Sequence, residues 1–236
     1  MSIAENVAAI RAQIREAALA AGRDPDQILL CAATKMNGRV GVRQAIAAGV
    51  DCCGENRVQE LVQKLSENAY EGAPVHFIGH LQTNKVRQVV GKVALIQSVD
   101  SLRLLEAIQK EAARQGIVQD ILLEVNIGAE ESKSGFSPED IPAILPKLGE
   151  YPNVRAQGLM AIPPICEDPT ENRKFFQEMC NLSVDIMRKK SDNISVRTLS
   201  MGMSGDYREA IACGSTMIRV GTAIFGERDY SNSHHG

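Results

Sequence analysis

Eight short apolar segments recur along the chain and are separated by longer stretches in which polar residues are frequent. Most of these segments are apolar at every position, which is typical of parallel strands that are covered on both faces. The segments predict strands at 28–33, 50–53, 75–78, 93–96, 121–125, 156–159, 196–199 and 216–220.

Helical periodicity appears before the first of these segments and between the later ones. Apolar residues at positions 3, 7, 10, 14 and 17 form one stripe and predict an amphipathic helix ahead of the first strand. Ser137 followed by Pro138 predicts the start of a later helix, with serine as the N-cap. Because Pro142 and Pro146 follow within it, we expect that helix to be short or kinked.

The alternation of eight strands with eight helices predicts an α/β protein with a single-domain (β/α)8 TIM barrel. An open doubly wound sheet has the same alternation and stays an alternative at this point. A barrel of this size fills a chain of 236 residues. We therefore expect one domain over residues 1–230, followed by a flexible tail at 231–236.

Composition and charge exclude several classes of partner. The net charge is −3 and basic residues form no run, so we expect neither nucleic acid nor an anionic membrane surface as a partner. The longest apolar run, at 28–33, is far too short to cross a bilayer. The charged, helical first twenty residues do not match a secretory signal, and we expect a cytoplasmic protein.

The six cysteines and four histidines show no metal-binding spacing. No pair of cysteines has the C-x-x-C pattern, and no histidine stands at zinc-finger spacing from them. The sequence therefore predicts buried, reduced thiols and no metal site.

Residues that follow the last two strands indicate a phosphate site. Barrels commonly bind phosphate with the loops after strands 7 and 8, at their carboxyl ends. Ser204 stands at the start of the helix after the seventh strand, and Gly221 and Thr222 follow the eighth. The alternative is that Ser204 only caps its own helix and Gly221 only ends a strand.

A lysine and an arginine add chemistry at the same end of the barrel. Lys35 directly follows the first apolar strand, where apolar surroundings favour an uncharged amine that attacks carbonyls. A lysine together with a phosphate site in one barrel mouth suggests pyridoxal phosphate held as an internal aldimine, whereas a solvated lysine is the alternative. Arg219 on the last strand could contact the phosphate, an acidic substrate or the ring nitrogen, or form a buried salt bridge.

These residues lie in motifs that resemble a known family. The motifs are A-T-K at 33–35, G-E-N-R-V-Q-E at 54–60, H-F-I-G-H-L-Q at 76–82, S-M-G-M-S-G-D at 200–206 and R-V-G-T-A-I-F-G at 219–226. Together they resemble the pyridoxal phosphate homeostasis protein family, which is similar to the barrel domain of bacterial alanine racemases. The resemblance implies pyridoxal 5′-phosphate linked to Lys35, with Ser204, Gly221 and Thr222 at its phosphate. It also implies Arg219 near the pyridine nitrogen and Asn56 in the pocket.

The same resemblance implies a role in vitamin B6 homeostasis without catalytic turnover, with apo-enzymes that require the cofactor as partners. An arginine facing the ring nitrogen is a poor proton donor, so the ring is a weak electron sink. We also expect this chain to lack the second, all-β domain that supplies a catalytic tyrosine in alanine racemases. The alternatives are a weak pyridoxal phosphate-dependent amino-acid racemase and a barrel enzyme that acts on a sugar phosphate without a cofactor.

Overall fold

Eight parallel strands close into a barrel in which β8 pairs with β1. This computed structural model describes residues 1–130, 133–188 and 194–226. The strands are β1 (Leu29–Ala33), β2 (Cys52–Glu55), β3 (Val75–Phe77), β4 (Leu95–Val99), β5 (Gln119–Val125), β6 (Val154–Ala161), β7 (Ile194–Ser200) and β8 (Met217–Val220). All eight predicted strands are confirmed with slightly shifted ends, and the closed order rules out the open doubly wound sheet.

Helices surround this barrel and connect most of its strands. Those in the described residues are α1 (Ile3–Ala20), α2 (Arg39–Ala47), α3 (Val58–Ser66), α4 (Leu102–Gln115), α5 (Ile141–Leu148), α6 (Arg173–Arg188), α7 (Tyr207–Ala212) and α8 (Thr222–Phe225). Between β3 and β4 the connection is a short 3-10 helix over Thr83–Gln88 and not an α-helix. The buried Val86 and Val89 lie three residues apart, and this spacing suits a 3-10 helix.

The predicted start of α5 is wrong by three residues, because the helix begins at Ile141 and not at Pro138. The carbonyl and side-chain oxygens of Ser137 accept hydrogen bonds from the Asp140 N–H at 3.1 and 3.2 Å, which closes a turn before the helix. Pro142 stands in the first turn of α5, where its missing N–H costs no hydrogen bond, and it sets the start of the helix. The helix is eight residues long, as its prolines predict.

Helix α1 begins with a reciprocal cap and completes the outer layer. The Glu5 N–H donates to Ser2 Oγ at 3.2 Å, and the Ser2 N–H donates to Glu5 Oε2 at 2.7 Å. Its buried stripe is Val7, Ile10, Ile14 and Ala18. This stripe packs with residues of β1, α7, β8 and α8, so α1 covers the barrel where α8 has only four residues. In the part of the chain that is described, no helix combines the length and apolar character needed to cross a membrane.

The two faces of the strands differ in chemistry. Residues such as Cys53, Phe77 and Ile96 point outward and form the main core with the helices. The inner face is more polar, because Gln97 on β4 contacts side chains of β3, β7 and β8 across the barrel interior. The barrel therefore encloses a polar interior, and its carboxyl end carries the residues of interest.

Candidate functional site

Lys35 lies at the carboxyl end of β1 with its backbone fixed and its amine unengaged. The Thr34 N–H donates to the Gly54 carbonyl at 2.9 Å, and the Asn37 side-chain amide donates to the Lys35 carbonyl at 3.0 Å. Lys35 itself is half-buried. Among the described residues, its Nζ atom has neither a hydrogen bond nor an ion-pair partner. The structure thus presents a positioned lysine whose amine is available to a ligand.

A buried ion pair lies directly behind this lysine. Lys64 Nζ contacts Glu55 Oε1 at 2.6 Å and donates to the Thr34 carbonyl at 2.7 Å. The Thr34 and Tyr70 hydroxyls donate to the same Glu55 oxygen, Tyr70 at 3.0 Å. Sequence reasoning missed this cluster, although Lys64 follows Val58 and Leu61 on one helical stripe, where a buried lysine signals a buried partner. The pair ties α3 and β2 to the residue that precedes Lys35.

The loops after β7 and β8 meet at Ser204. Its hydroxyl oxygen accepts hydrogen bonds from the N–H groups of Gly221 and Ala223 at 3.4 and 3.5 Å. Ser204 does not cap its own helix: Asp206 is the N-cap of α7, and its side chain accepts no hydrogen bond from the first turn of that helix. The structure therefore brings Ser204 and Gly221 together, and Thr222, the first residue of α8, lies next to them on the exposed surface.

β1, which Lys35 follows, lies next to β8, from which the Gly221 loop begins. β1 pairs with β8, with Ala32 opposite Val220. A Cβ atom on Gly221 would lie 3.4 Å from Cβ of Ala33, so the chain after β8 runs closely beside the end of β1. The lysine and the predicted phosphate loops therefore belong to adjacent strand ends.

Arg219 is buried in the barrel interior and is held by neutral groups. Its guanidinium donates to Ser200 Oγ and, at 2.9 Å, to the Ala161 carbonyl. Burial lowers the pKa of Arg219, while the carboxylates of Glu124 and Asp206 are among the groups that oppose this shift. Across the described ranges Arg219 has no salt bridge, so the alternative of a buried ion pair is not found.

Glu124 is an acidic residue of the interior that sequence reasoning missed. Burial and, to a smaller extent, the nearby Asp100 raise its pKa to about 7, against the opposing effects of Arg219 and His80. His80 Nδ1 lies 3.1 Å from Asp100 Oδ2 at the end of β4. The signal in the sequence is the one carboxylate in the otherwise apolar segment 121–125.

Asn56 offers an unsatisfied acceptor after β2. Its Oδ1 atom is buried and, within the described chain, accepts no hydrogen bond. A Cβ atom on Gly79 would lie 2.1 Å from the Asn56 carbonyl oxygen, so only glycine fits beside it. The H-F-I-G motif thus fixes the backbone of Asn56, and its side-chain oxygen is left without a donor among the described residues.

Comparison with known proteins matches the whole barrel. Residues 5–229 match the family model of the alanine racemase N-terminal domain. A protein of Aquifex aeolicus named pyridoxal phosphate homeostasis protein is 40% identical over 230 residues, covering 98% of this chain and 100% of that one. A protein of the same name from Pseudomonas aeruginosa is 41% identical over 229 residues, covering 97% of each chain.

A solved structure shows the same fold with a ligand. PipY of Synechococcus elongatus, solved with PLP bound, is 33% identical and superposes with a TM-score of 0.82, covering 95% of this chain and 100% of that one. The resemblance inferred from the motifs is thereby confirmed. The chain belongs to the alanine racemase N-terminal domain family and, within it, to the pyridoxal phosphate homeostasis proteins.

Proposed function

We propose that this protein binds pyridoxal 5′-phosphate at the carboxyl end of the barrel, covalently on Lys35, and takes part in vitamin B6 homeostasis in the cytoplasm. The observation that carries the proposal is Lys35, whose amine has no partner in the described chain and which follows the strand end that lies beside Gly221. The PLP-bound structure of PipY and the names of the relatives support the choice of ligand.

The loops at Ser204 fit a phosphate group. Ordinary N–H···O bonds are about 2.7–3.2 Å long, so the contacts of Gly221 and Ala223 with Ser204 Oγ, at 3.4 and 3.5 Å, are weak. A phosphate oxygen is a stronger, charged acceptor for both N–H groups. The Ser204 hydroxyl would then be free to donate to the same phosphate, and Thr222 adds a hydroxyl at the rim.

Asn56 and Arg219 fit the remainder of the ligand. A buried acceptor without a donor is costly, and a donor group of the ligand would satisfy Asn56 Oδ1. We propose that Arg219, oriented by Ser200 and Ala161, faces the pyridine nitrogen. Pyridoxal phosphate supplies an aldehyde that amines capture and a ring that withdraws electrons from the captured amine. A guanidinium gives up its protons poorly, so Arg219 leaves that ring a weak electron sink.

We propose that the protein holds the cofactor without catalytic turnover. A two-base reaction needs a proton-transfer group opposite the lysine. The Tyr70 hydroxyl donates to Glu55 between β2 and α3, and the Tyr207 hydroxyl contacts Gln13 of α1. Tyr151 precedes β6 at the opposite end of the barrel. We therefore assign none of these three tyrosines to proton transfer opposite Lys35.

Weak amino-acid racemisation is a second candidate function, and Glu124 is the observation that favours it. With a pKa of about 7, this carboxyl exchanges protons readily near neutral pH. Incubation of the loaded protein with L-alanine in deuterated water separates the two functions. We expect no α-hydrogen exchange above that of free pyridoxal phosphate. Exchange that Glu124→Gln abolishes would establish the racemase instead.

Titration with pyridoxal phosphate tests the binding proposal. We expect the wild-type protein to bind one equivalent and turn yellow. Lys35→Ala should bind more weakly, through the phosphate contacts alone, without the colour of the lysine-bound form. Lys92→Ala is the control, because Lys92 is exposed, precedes the amino end of β4 and should keep wild-type binding. Equal colour and affinity in wild type and Lys35→Ala would exclude Lys35 as the attachment point.

We also propose that the loaded protein gives its cofactor to apo-enzymes. The attachment site is open, since Lys35 is only half-buried and the adjacent Met36 is 62% exposed. Loaded protein mixed with an apo-aminotransferase should restore its activity in the presence of a phosphatase that destroys free pyridoxal phosphate. If the phosphatase prevents reactivation, the cofactor is released to solvent and not handed over.

A further inference from the structure

Three potential metal ligands meet in the barrel interior, below the carboxyl end. Cys31 of β1, Cys52 of β2 and His76 of β3 each contribute one side chain, and their ligand atoms lie within 4.8 Å of one another. The three residues are 0%, 3% and 7% exposed. The spacing rules of the sequence miss this cluster because each ligand comes from a different strand, and the barrel alone brings them together.

We propose that Cys31, Cys52 and His76 bind a zinc ion in the interior of the barrel. Zinc lies about 2.3 Å from cysteine sulfur and about 2.0–2.1 Å from histidine nitrogen. At a tetrahedral angle these bonds place sulfur and nitrogen about 3.6 Å apart. Cys52 Sγ and His76 Nδ1 are 3.5 Å apart. This pair of donors is therefore already spaced as the edge of a zinc tetrahedron.

Two thiolates match the charge of a divalent ion. On binding, each of the two thiols loses its proton to solvent, and two thiolates cancel the charge of a divalent cation. The ion with two thiolates and a neutral imidazole has no net charge, which suits a buried site because an uncompensated charge there is costly.

The surroundings supply space and a further donor for the ion. Gln97 Nε2 lies 2.9 Å from His76 Nδ1 and 3.1 Å from Met217 Sδ, and the ion would replace both of these contacts. A Cβ atom on Gly54 would lie 2.9 Å from Cys31 Sγ, so the glycine leaves this sulfur its space. Met217 packs with both cysteines, and its thioether is a fourth soft donor. The ion would link three consecutive strands of the barrel.

The neighbouring Cys53 provides a matched control. It belongs to the same strand as Cys52 and is 0% exposed, but it points outward into the core between strands and helices. Cys52→Ala and Cys53→Ala therefore remove the same buried thiol from the two faces of β2. Cys31→Ala is a second test variant, so the result does not depend on the folding of Cys52→Ala alone.

Metal content of the intact protein tests the proposal. The proteins are produced in zinc-supplemented medium, purified under reducing conditions without a chelator, and analysed by mass spectrometry for zinc and by circular dichroism for folding. We expect one zinc per chain in wild type and in Cys53→Ala, and less than one tenth of that in Cys52→Ala and Cys31→Ala. Wild-type protein without zinc, or equal zinc in the Cys52 and Cys53 variants, would overturn the proposal.

Cobalt distinguishes this site from other metal-binding groups. His234 and His235 also attract metal ions but supply no thiolate. Protein produced with cobalt should show a thiolate-to-cobalt charge-transfer band, which Cys52→Ala removes and Cys53→Ala keeps. Bound cobalt without that band would place the ion outside the cysteine cluster and refute the assignment.

Discussion

Replacing Lys64 by methionine should destabilise the protein strongly. Lys64 is 5% exposed and Glu55 is 0% exposed, so the change leaves a carboxylate in the protein interior without its cation. Removing one partner of a buried ion pair costs about 3–5 kcal/mol. Because the Thr34 and Tyr70 hydroxyls still donate to Glu55, we expect the lower end, about 3 kcal/mol. That is a large share of the 5–15 kcal/mol that is typical of a folded domain.

Urea unfolding measures this cost, and a second change identifies its source. Lys64→Met combined with Glu55→Gln removes the stranded charge but keeps an acceptor for both hydroxyls. We expect the double variant to recover at least half of the lost free energy of unfolding. Lys92→Met, at an exposed position, should stay within about 0.5 kcal/mol of wild type. A cost below about 1 kcal/mol for Lys64→Met would show that the buried charge of Glu55 does not need Lys64. A cost that Glu55→Gln does not reduce would show that the lost stability has another source.

Three further variants probe separate parts of the site. Because the pKa of Glu124 is raised from 4.5 to about 7, its ionisation opposes folding, and the cofactor-free protein should lose stability as pH rises through this window. Glu124→Gln should flatten that part of the pH profile of urea midpoints, and an unchanged profile would contradict the assignment. Gly79→Ala should cost more than 1–3 kcal/mol, since its Cβ atom would meet the Asn56 carbonyl oxygen at 2.1 Å. Gly38→Ala, which meets no atom within 4 Å, is the control, and equal melting temperatures for the two would argue against the clash. Ser204→Ala should weaken pyridoxal phosphate binding tenfold to a hundredfold, equivalent to about 1.5–3 kcal/mol for a hydrogen bond to a charged acceptor. Its cofactor-free melting temperature should not change; a lower temperature with unchanged affinity would mean that Ser204 is structural only.

The fold could be predicted from the sequence because each strand has its own local signal. Parallel strands covered on both faces are apolar at nearly every position, so runs such as 28–33 identify them without any long-range information. The strand order followed from the fold class, and the residues after each strand could then be assigned to one end of the barrel. Local signals were weakest in the connections between strands. Pro142, and not the predicted cap at Ser137, determines where α5 begins. The connection before β4, with its buried valines, is a 3-10 helix.

The individual contacts between side chains of separate elements could not be predicted from the sequence. The hydroxyl of Ser204 contacts N–H groups 17 and 19 residues further along the chain, and no local pattern distinguishes this from a cap on its own helix. The same holds for Lys64 with Glu55, and for Cys31 with Cys52, whose pairing depends on strand register. Such contacts depend on the distance between elements and on the direction of each side chain, which only the folded barrel determines.

Reductive trapping followed by peptide mapping identifies the residue that binds pyridoxal phosphate covalently. Protein loaded with pyridoxal phosphate is treated with borohydride, digested and analysed by mass spectrometry. We expect a phosphopyridoxyl group on the peptide that contains Lys35, at close to one per chain, and none elsewhere at comparable yield. A label on another lysine, or no label on a protein that binds the cofactor, would contradict covalent binding at Lys35.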